Sequence, residues 1–541
     1  MPSRNVLWIM CDQLRFDYLG CAGHPTLHTP NIDALAARGV RFTRAYVQSP
    51  VCGPSRMSFY TGRYMRSHGA NWNGFPLRVG EPTLGTHLAP LGVRAVLVGK
   101  THTAADVEGM AGLGIDPASA VGIRESECGF EPFERDDGLF PAGGRRGDPA
   151  YNDYLRGLGF TGDSPWESWA NAASGPNGEA LNGWLLDHAD KPARIPEEHS
   201  ETPYMTSRAM DFIAGAEADG RPWCLHLSYI KPHWPYIAPA PYHALYRQTD
   251  VIAPVRDAAE RDDPHPVFAA FMAHRVSRNF ADDAVRAKVI PAYMGLIRQI
   301  DDQLGRLFRF LDERGLTDRT MIVFSSDHGD YLGDHWLGEK DLFHEPSVKI
   351  PLIVADPSSA ADATRGGTCE ALVEAIDLVP SLVEWFGGAP APNVIEGRSL
   401  LPWLRGETPE EWRRHVFSEY DYSMQDARLT LGQKIADCRL FMVFDGRWKL
   451  IHAVGFRPML FDLGTDPDEV RDLGADPRFA PERARLDAAL RDWALRDHNR
   501  ITMPDARIAR YAGGAQLKGG IVIGYRDEAE LAAERARLGL P

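Results

Sequence analysis

Short apolar runs, each followed by polar residues and separated by helical patterns, constrain the fold of this chain more than any other feature. The runs have the length of buried strands and cover residues 6–10, 95–98, 223–229, 321–324 and 352–355. Apolar residues recur at helical spacing over 31–38 and from about 285 to 314. This alternation predicts a doubly wound α/β fold, in which helices flank a mostly parallel sheet and these five runs are parallel strands.

The 541 residues suffice for one large domain and a smaller companion. The Pro-Ala-Pro segment at 390–392 predicts a boundary between a large α/β domain, 1–390, and a C-terminal subdomain, 391–541. Within the first, 106–203 lacks periodicity and is interpreted as an insertion over one sheet edge that serves as a substrate wall. The C-terminal subdomain is predicted to contain a small antiparallel sheet, with strands at 416–420, 440–444, 448–453 and 459–463. The Asp445-Gly446 pair predicts a hairpin turn between the second and third of these strands. The tail is predicted to be partly helical, over 527–538.

Charge and cysteine content exclude several classes of function. The chain has 59 basic and 74 acidic residues, a formal net charge of -15, which disfavours binding to nucleic acid or to an anionic membrane. An anionic substrate therefore requires cations concentrated locally. Seven scattered cysteines without CxxC spacing indicate neither a disulfide framework nor a zinc ribbon. With no signal-peptide pattern and no run of about 20 apolar residues, we expect a cytoplasmic protein.

Polar residues follow the predicted strands at the sheet edge where ligands bind in parallel α/β folds. These residues are Asp12, Gln13, Lys100, His102, His233, Asp327 and His328. Two carboxylates and an imidazole, from Asp12, Asp327 and His328, suit one divalent cation and leave coordination positions free. Each of the three would fit a capping or structural role equally well if taken singly, and their shared position favours metal binding.

Cys52 lies in a segment that predicts a helix N-terminus. Pro54 follows it closely and a helical stretch comes next, so the side chain would lie where backbone N–H groups favour an anion. Arg56 would lie one turn further along. The alternative for a lone cysteine is a small buried hydrophobic residue, but its polar and turn-forming neighbours argue against that alternative.

The sequence Cys52-Gly53-Pro54-Ser55-Arg56 followed by Thr61-Gly62 resembles the sulfatase signature CxPxR with its trailing TG. The resemblance extends over most of the chain, through segments 5–12, 29–33, 99–102, 326–329, 445–452 and 460–467. It implies the alkaline-phosphatase-like fold with a small C-terminal antiparallel sheet. It also implies that a maturation enzyme oxidises Cys52 to formylglycine, an aldehyde that is hydrated to a diol. The chain looks most similar to the cytoplasmic phosphonate monoester hydrolases and their dimeric arylsulfatase relatives.

The resemblance also implies roles for individual residues. The expected metal ligands are Asp12, Asp327, His328 and the modified Cys52, and the expected ion is calcium, although the histidine permits manganese or zinc. Arg56 would hold the diol, and His102 would take a proton from it. The groups expected to contact the substrate are Lys100, His233, Lys340, Gln13 and Asn73. Lys340 and Asn73, taken alone, would be solvated surface residues.

Two departures from the family pattern decide between the expected activities. Gln13 replaces a second acidic residue, as in the phosphonate-cleaving group, whereas Lys100 and His102 resemble the sulfatase version. We therefore expect hydrolysis of sulfate monoesters of the arylsulfatase type, with phosphonate monoester or phosphodiester hydrolysis as the alternative or as a promiscuous activity. A two-metal phosphatase with a Ser or Thr nucleophile and an inactive scaffold are the remaining alternatives. The expected partners are a small anionic ester, the formylglycine-generating enzyme and further copies of the chain in a dimer or tetramer.

Overall fold

The fold consists of one large sheet and one small sheet with helices packed around them. The computed structural model describes residues 4–144, 147–496, 498–511 and 515–540. Its strands are β1 (Asn5–Asp12), β2 (Val40–Tyr46), β3 (Arg94–Gly99), β4 (Glu131–Arg135), β5 (Ala173–Ser174), β6 (Ala180–Leu181), β7 (Trp223–Pro232), β8 (Thr320–Ser326), β9 (Lys349–Ala355), β10 (Gly367–Cys369), β11 (Val373–Glu374), β12 (Val416–Asp421), β13 (Arg439–Phe444), β14 (Trp448–Ala453) and β15 (Met459–Asp462).

The helices lie between and around these strands. They are α1 (Pro30–Arg38), α2 (Cys52–Thr61), α3 (Met65–His68), α4 (Leu84–Leu88), α5 (Val107–Gly112), α6 (Ala120–Ser126), α7 (Ala150–Gly157), α8 (Glu201–Asp219), α9 (Pro266–Met272), α10 (Arg275–Phe280), α11 (Asp283–Glu313), α12 (Glu345–Val348), α13 (Leu378–Trp385), α14 (Leu401–Leu404), α15 (Asp426–Thr430), α16 (Ala480–Ala494), α17 (Asp505–Tyr511), α18 (Ala515–Lys518) and α19 (Glu528–Arg537). Within the described ranges, none has both the length and the apolar character needed to cross a bilayer.

The large sheet has the strand order β10-β2-β9-β8-β1-β7-β3-β4, and β11 also pairs with β2. Strands β8, β1, β7, β3 and β4 are parallel, which confirms the mostly parallel sheet. The prediction that 352–355 forms a parallel strand is wrong, because β9 is antiparallel to both of its neighbours. The chain leaves β8 at its carboxyl end and enters β9 from α12 at that same edge, so β9 must run back. A buried apolar run carries no information about this direction.

Both faces of the large sheet are covered. Along β1, Trp8 and Met10 belong to one hydrophobic core, while Leu7 and Ile9 belong to a second core on the opposite face. The long helix α11 packs in the second core. Strands buried on both faces read as continuous apolar runs, which is why the sequence revealed them.

The region from 106 to 203 is less irregular than its sequence indicates. It contains α5, α6 and α7, and its strand β4 pairs with β3 as an edge strand of the large sheet. Part of this region therefore extends the sheet itself and does not merely cover its edge. The sequence Glu131–Arg135 has only one buried residue and no apolar run, so periodicity could not indicate a strand there.

The small sheet has the predicted four antiparallel strands, in the order β12-β13-β14-β15. The predicted hairpin between β13 and β14 is confirmed, and Gly446 in its turn has a φ of 97°. The two sheets share one hydrophobic core, in which the rings of Tyr46 and Phe444 lie 5.4 Å apart. The division of the chain at residue 390 stays a prediction.

A buried ion cluster joins the small sheet to the segment that enters β9. The side chain of Lys449 on β14 is fully buried, and its ammonium lies 2.9 Å from Glu345 and 2.6 Å from Glu469. It also donates to the carbonyl of Phe343 at 3.0 Å. Removing one member of such a cluster leaves an uncompensated buried charge.

We predict that Lys449→Ala lowers the free energy of unfolding by about 3–5 kcal/mol, because two buried glutamates lose their shared cation. Urea unfolding followed by tryptophan fluorescence measures the loss. The matched control is Arg478→Ala, which breaks an exposed pair with Asp476 and should cost no more than about 1 kcal/mol. Equal stability of the two variants would contradict the structural importance of the buried cluster.

Candidate active site

The carboxyl ends of the parallel strands bring the predicted site residues to one edge of the large sheet. Asp12 ends β1, Asp327 follows β8, His233 follows β7 and Lys100 follows β3. Strands β1 and β8 are in register up to the residues immediately before the two aspartates. The two carboxylates consequently lie side by side, and both are fully buried.

Cys52 is the first residue of α2, as its sequence context predicts. Its Sγ atom lies 3.0 Å from Nε2 of His328 and 3.7 Å from Oδ1 of Asp12. The ammonium of Lys340 lies 3.4 Å from the same sulfur. The thiol is buried, but its neighbours are charged groups at the sheet edge and not an apolar core.

Four side chains form a group that could hold a metal ion. One ligand atom from each of Asp12, Cys52, Asp327 and His328 lies within 4.8 Å of all the others. The Nδ1 atom of His328 lies 2.8 Å from the carbonyl of Gly329, an arrangement that directs Nε2 toward the group. Two carboxylates, an imidazole and the side chain at position 52 therefore fit one divalent ion.

The charges in this group shift the pKa values of its members. Burial raises the pKa of the Asp12 carboxyl, but the positive charges of Lys100 and Arg56 hold it well below its ordinary value. Burial lowers the pKa of His328, yet the negative charges of Asp327 and Cys52 outweigh burial and raise it to about 9. Ligation of a metal ion through Nε2 requires the neutral imidazole, so metal binding would compete with protonation of His328.

Arg56 holds the two aspartates in place. Its Nε donates to Asp327 at 2.8 Å and its Nη2 to Asp12 at 3.3 Å. Its Nη1 donates to the carbonyl of Lys100 at 2.9 Å and to the hydroxyl of Ser228 at 2.8 Å. Arg56 thus orients the carboxylates directly, while the contact with the diol implied by the resemblance stays a prediction.

The remaining predicted basic residues surround the same point. The Lys100 ammonium forms an ion pair with Asp12. Burial alone would lower the pKa of Lys340, but the charges of Cys52 and Glu339 raise it well above its ordinary value, so this lysine stays protonated. Burial lowers the pKa of His233 well below its usual range, which makes its imidazole neutral at pH 7. Cations are therefore concentrated here despite the acidic chain.

Gln13 is fixed by residues that the sequence analysis missed. Its Nε2 donates to the hydroxyl of Tyr236 at 3.1 Å and to the carboxyl of Asp330, whereas its Oε1 lies 3.3 Å from the Lys340 ammonium. Burial raises the pKa of Asp330 to about 6. The spacing of Asp330 two residues after His328 was the available signal, but nothing in the sequence paired it with Gln13.

Two predicted residues lie at the margin of this cluster. The Asn73 side-chain oxygen accepts from the backbone N–H of Gly53 at 2.7 Å, so it supports the first turn of α2 beside Cys52. The backbone N–H of His102 donates to Asp137 at 2.9 Å. His102 lines a cleft of about 520 Å³ together with Phe140. The substrate contact of Asn73 and the proton transfer by His102 stay predictions.

Comparison with known proteins identifies the family. The sulfatase family model matches residues 4–389, and the model of the C-terminal region of N-sulphoglucosamine sulphohydrolase matches 333–496. This chain belongs to the sulfatase family. The predicted family and the predicted alkaline-phosphatase-like fold are thus confirmed.

The similar proteins include some that are named as sulfatases and some that are named as phosphonate monoester hydrolases. The chain is 34% identical to the multifunctional alkaline phosphatase superfamily protein PehA of Trinickia caryophylli, over 95% of this chain and 99% of that protein. It is 26% identical to an arylsulfatase of Clostridium perfringens, with 87% and 90% covered. The solved phosphonate monoester hydrolase of Silicibacter pomeroyi is 29% identical, with a TM-score of 0.79 and 92% and 97% covered.

We predict that Asp327→Asn lowers the affinity for a divalent ion at least tenfold, because substitutions that weaken ligation in other metal sites lower metal affinity by about that factor. Calcium bound after dialysis, counted by elemental analysis, should fall from about one ion per chain in the unsubstituted protein. Asp356→Asn is the matched control, because this buried carboxyl follows the antiparallel strand β9 and lies at the opposite sheet edge. Equal metal content in both variants would exclude Asp327 as a ligand.

Proposed function

We propose that this sulfatase-family protein hydrolyses sulfate monoesters of the arylsulfatase type, through a formylglycine made from Cys52 and one divalent metal ion. The observation that carries the proposal is the position of Cys52 at the start of α2, in contact with His328, Asp12 and Lys340. Membership of the sulfatase family and the similarity to an arylsulfatase support it.

The proposed metal ligands are Asp12, Asp327, His328 and the modified Cys52. When bound, the ion would act as a Lewis acid that makes a neighbouring hydroxyl group reactive at neutral pH. Calcium suits the carboxylates best, while the imidazole would also accept manganese or zinc. The hydrated aldehyde would provide the attacking hydroxyl group.

The basic side chains would bind the ester and stabilise charge during its cleavage. Lys100 and Lys340 would offset the negative charge on the sulfuryl oxygens, and such prearranged charge is usually the largest single contribution to catalysis. Lys340, which stays protonated, would donate a proton to the leaving alcohol oxygen, and His233 would do so only once the negative charge of the bound ester has raised its pKa. His102 would accept the proton released when the aldehyde is restored, and Arg56 would keep both carboxylates oriented.

Hydrolysis of phosphonate monoesters is the second candidate, because Gln13 replaces an acidic residue and its carbonyl oxygen faces Lys340. Both esters carry one negative charge, but a phosphonate monoester spreads it over two oxygens and a sulfate monoester over three, so a site with one fewer negative charge would suit the higher charge on each phosphonate oxygen. The overall similarity to a phosphonate monoester hydrolase supports this candidate. Lys100 and His102 resemble the residues of sulfatases at these positions, and this resemblance favours the sulfate ester as the main substrate.

The surroundings of the reaction are also part of the proposal. The protein would act in the cytoplasm as a dimer or tetramer, and a formylglycine-generating enzyme would mature it. The region between 106 and 203 would contact the alcohol part of the substrate, because Phe140 of this region lines a cleft together with His102.

We predict that protein produced together with a formylglycine-generating enzyme has a Cys52 peptide about 18 Da lighter than the encoded one, because oxygen replaces the sulfur and two hydrogens. Peptide mass spectrometry measures the difference. Peptides containing Cys369, a partly exposed cysteine on β10, should keep their encoded mass. Fully active protein with an unchanged Cys52 would exclude the aldehyde.

A pair of esters with the same aryl alcohol tests the reaction itself. We predict a higher kcat/KM for the aryl sulfate than for the aryl phosphonate monoester, and Cys52→Ala should lower both by more than about a hundredfold while the fold is kept. Cys369→Ala is the control and should keep wild-type rates. Retention of a tenth of the wild-type kcat by Cys52→Ala would contradict the nucleophile, and the reverse ester preference would favour the second candidate.

A further inference from the structure

Tyr420, on β12 of the small sheet, contacts both segments that flank Cys52. Its hydroxyl donates to Oδ1 of Asp341 at 2.7 Å. Its ring stacks on Trp72, with centroids 6.1 Å apart and planes 29° from parallel. The side chain is almost completely buried, so these contacts fix its position. One side chain of the small sheet thus contacts the residue next to Lys340 and the residue next to Asn73.

The first contact restrains the loop that presents Lys340. Asp341 has a φ of 108°, and Glu339 on the other side of Lys340 has a φ of 66°; both are left-handed values that non-glycine residues rarely adopt. A strained backbone persists only where surrounding contacts hold it. The Asp341 carboxylate is held by the hydroxyl of Tyr420 and by the side-chain amide of Gln425 at 3.2 Å.

The second contact supports the start of α2. Trp72 precedes Asn73, whose side-chain oxygen accepts from the N–H of Gly53. A Cβ atom at Gly53 would lie only 2.8 Å from that oxygen, so the segment presses closely against the first turn of the helix. Displacement of Trp72 would therefore reach the residue adjacent to Cys52.

We propose that Tyr420 is a positioning residue for the reaction at Cys52, a role that rests on the proposed function, and that it acts by holding the Lys340 ammonium beside the nucleophile through Asp341. The ring contact with Trp72 is kept when only the hydroxyl is removed, so that removal isolates the contact with Asp341. Loss of the hydroxyl leaves Gln425 to hold the carboxylate of Asp341 and loosens the strained loop. Lys340 then spends less time 3.4 Å from the nucleophile position, so charge on the departing oxygen is stabilised less well.

The test is a double-mutant cycle between Tyr420→Phe and Lys340→Ala. Tyr420→Phe keeps the stacked ring and should lower kcat for an aryl sulfate about tenfold, with KM changed less than about twofold, since the interaction is made mainly in the transition state. The loss should grow as the leaving alcohol becomes less acidic. In the Lys340→Ala background the same substitution should have less than about a twofold further effect. An equal fold-change in kcat on Tyr420→Phe in the wild-type and Lys340→Ala backgrounds would overturn the proposal.

Tyr422→Phe is the matched control. Tyr422 lies two residues after Tyr420 in the sequence, and its hydroxyl bonds to Gln433. The substitution should leave kcat and its dependence on the leaving alcohol unchanged. If Tyr420→Phe does not fold by circular dichroism, Gln425→Leu removes the other donor to Asp341 and should change kcat in the same direction. A wild-type kcat in the folded Tyr420→Phe variant, or in Gln425→Leu where that variant replaces it, would overturn the proposal.

A measurement without turnover separates this proposal from the proposed function. Acetic anhydride should label Lys340 at least about threefold faster in Tyr420→Phe than in the wild type or in Tyr422→Phe, because a loosened loop exposes its amine more often. Peptide mass spectrometry reads the rate. Faster labelling with no ester hydrolysis by the mature wild-type protein would reject the proposed function and keep the positioning role. Unchanged labelling would reject the positioning role.

Discussion

The paired carboxylates of Asp12 and Asp327 are the constraint on which the rest of the site depends. Two buried negative charges side by side repel each other unless cations accompany them. Arg56 provides two of its donors for this purpose and Lys100 provides its ammonium. The arginine reaches both aspartates because α2 begins at Cys52 and places it one turn later. The same helix therefore positions Cys52 and the cation that offsets the charge of the carboxylate pair.

Much of this arrangement could be predicted from the sequence because it follows from strand ends. Runs buried on both faces of a parallel sheet are continuous and apolar, and the polar residues directly after them must meet at one edge. That reasoning brought Asp12, Lys100 and Asp327 together correctly. The helix that starts at Cys52 was predicted from Pro54, which follows two residues later in the sequence. The specific chemistry of Cys52, by contrast, came from resemblance to a family and not from these patterns.

What could not be predicted depends on contacts between residues far apart in the sequence. The reversed direction of β9 is set by the path of the chain around the site, and β4 lacks an apolar run. The acceptors that orient the Gln13 amide belong to Tyr236 and Asp330, more than 200 residues away. Hydrogen bonds of this kind leave no local periodicity. Lys340 was predicted to lie at the site only from resemblance to the family, because its loop has neither strand nor helix and its neighbours Glu339 and Asp341 adopt strained backbone values.

The strained loop also explains why the small sheet belongs to the active site. A loop with several left-handed residues has no secondary structure to hold it, so its shape must come from elsewhere. The Asp341 carboxylate is bound by Tyr420, and the segment that follows is tied to β14 by the buried pair of Lys449 and Glu345. Loosening the small sheet should therefore reach Lys340 before it reaches the carboxylate pair, which the large sheet and Arg56 of α2 hold. The carboxylate pair and the Lys340 ammonium thus depend on different parts of one core.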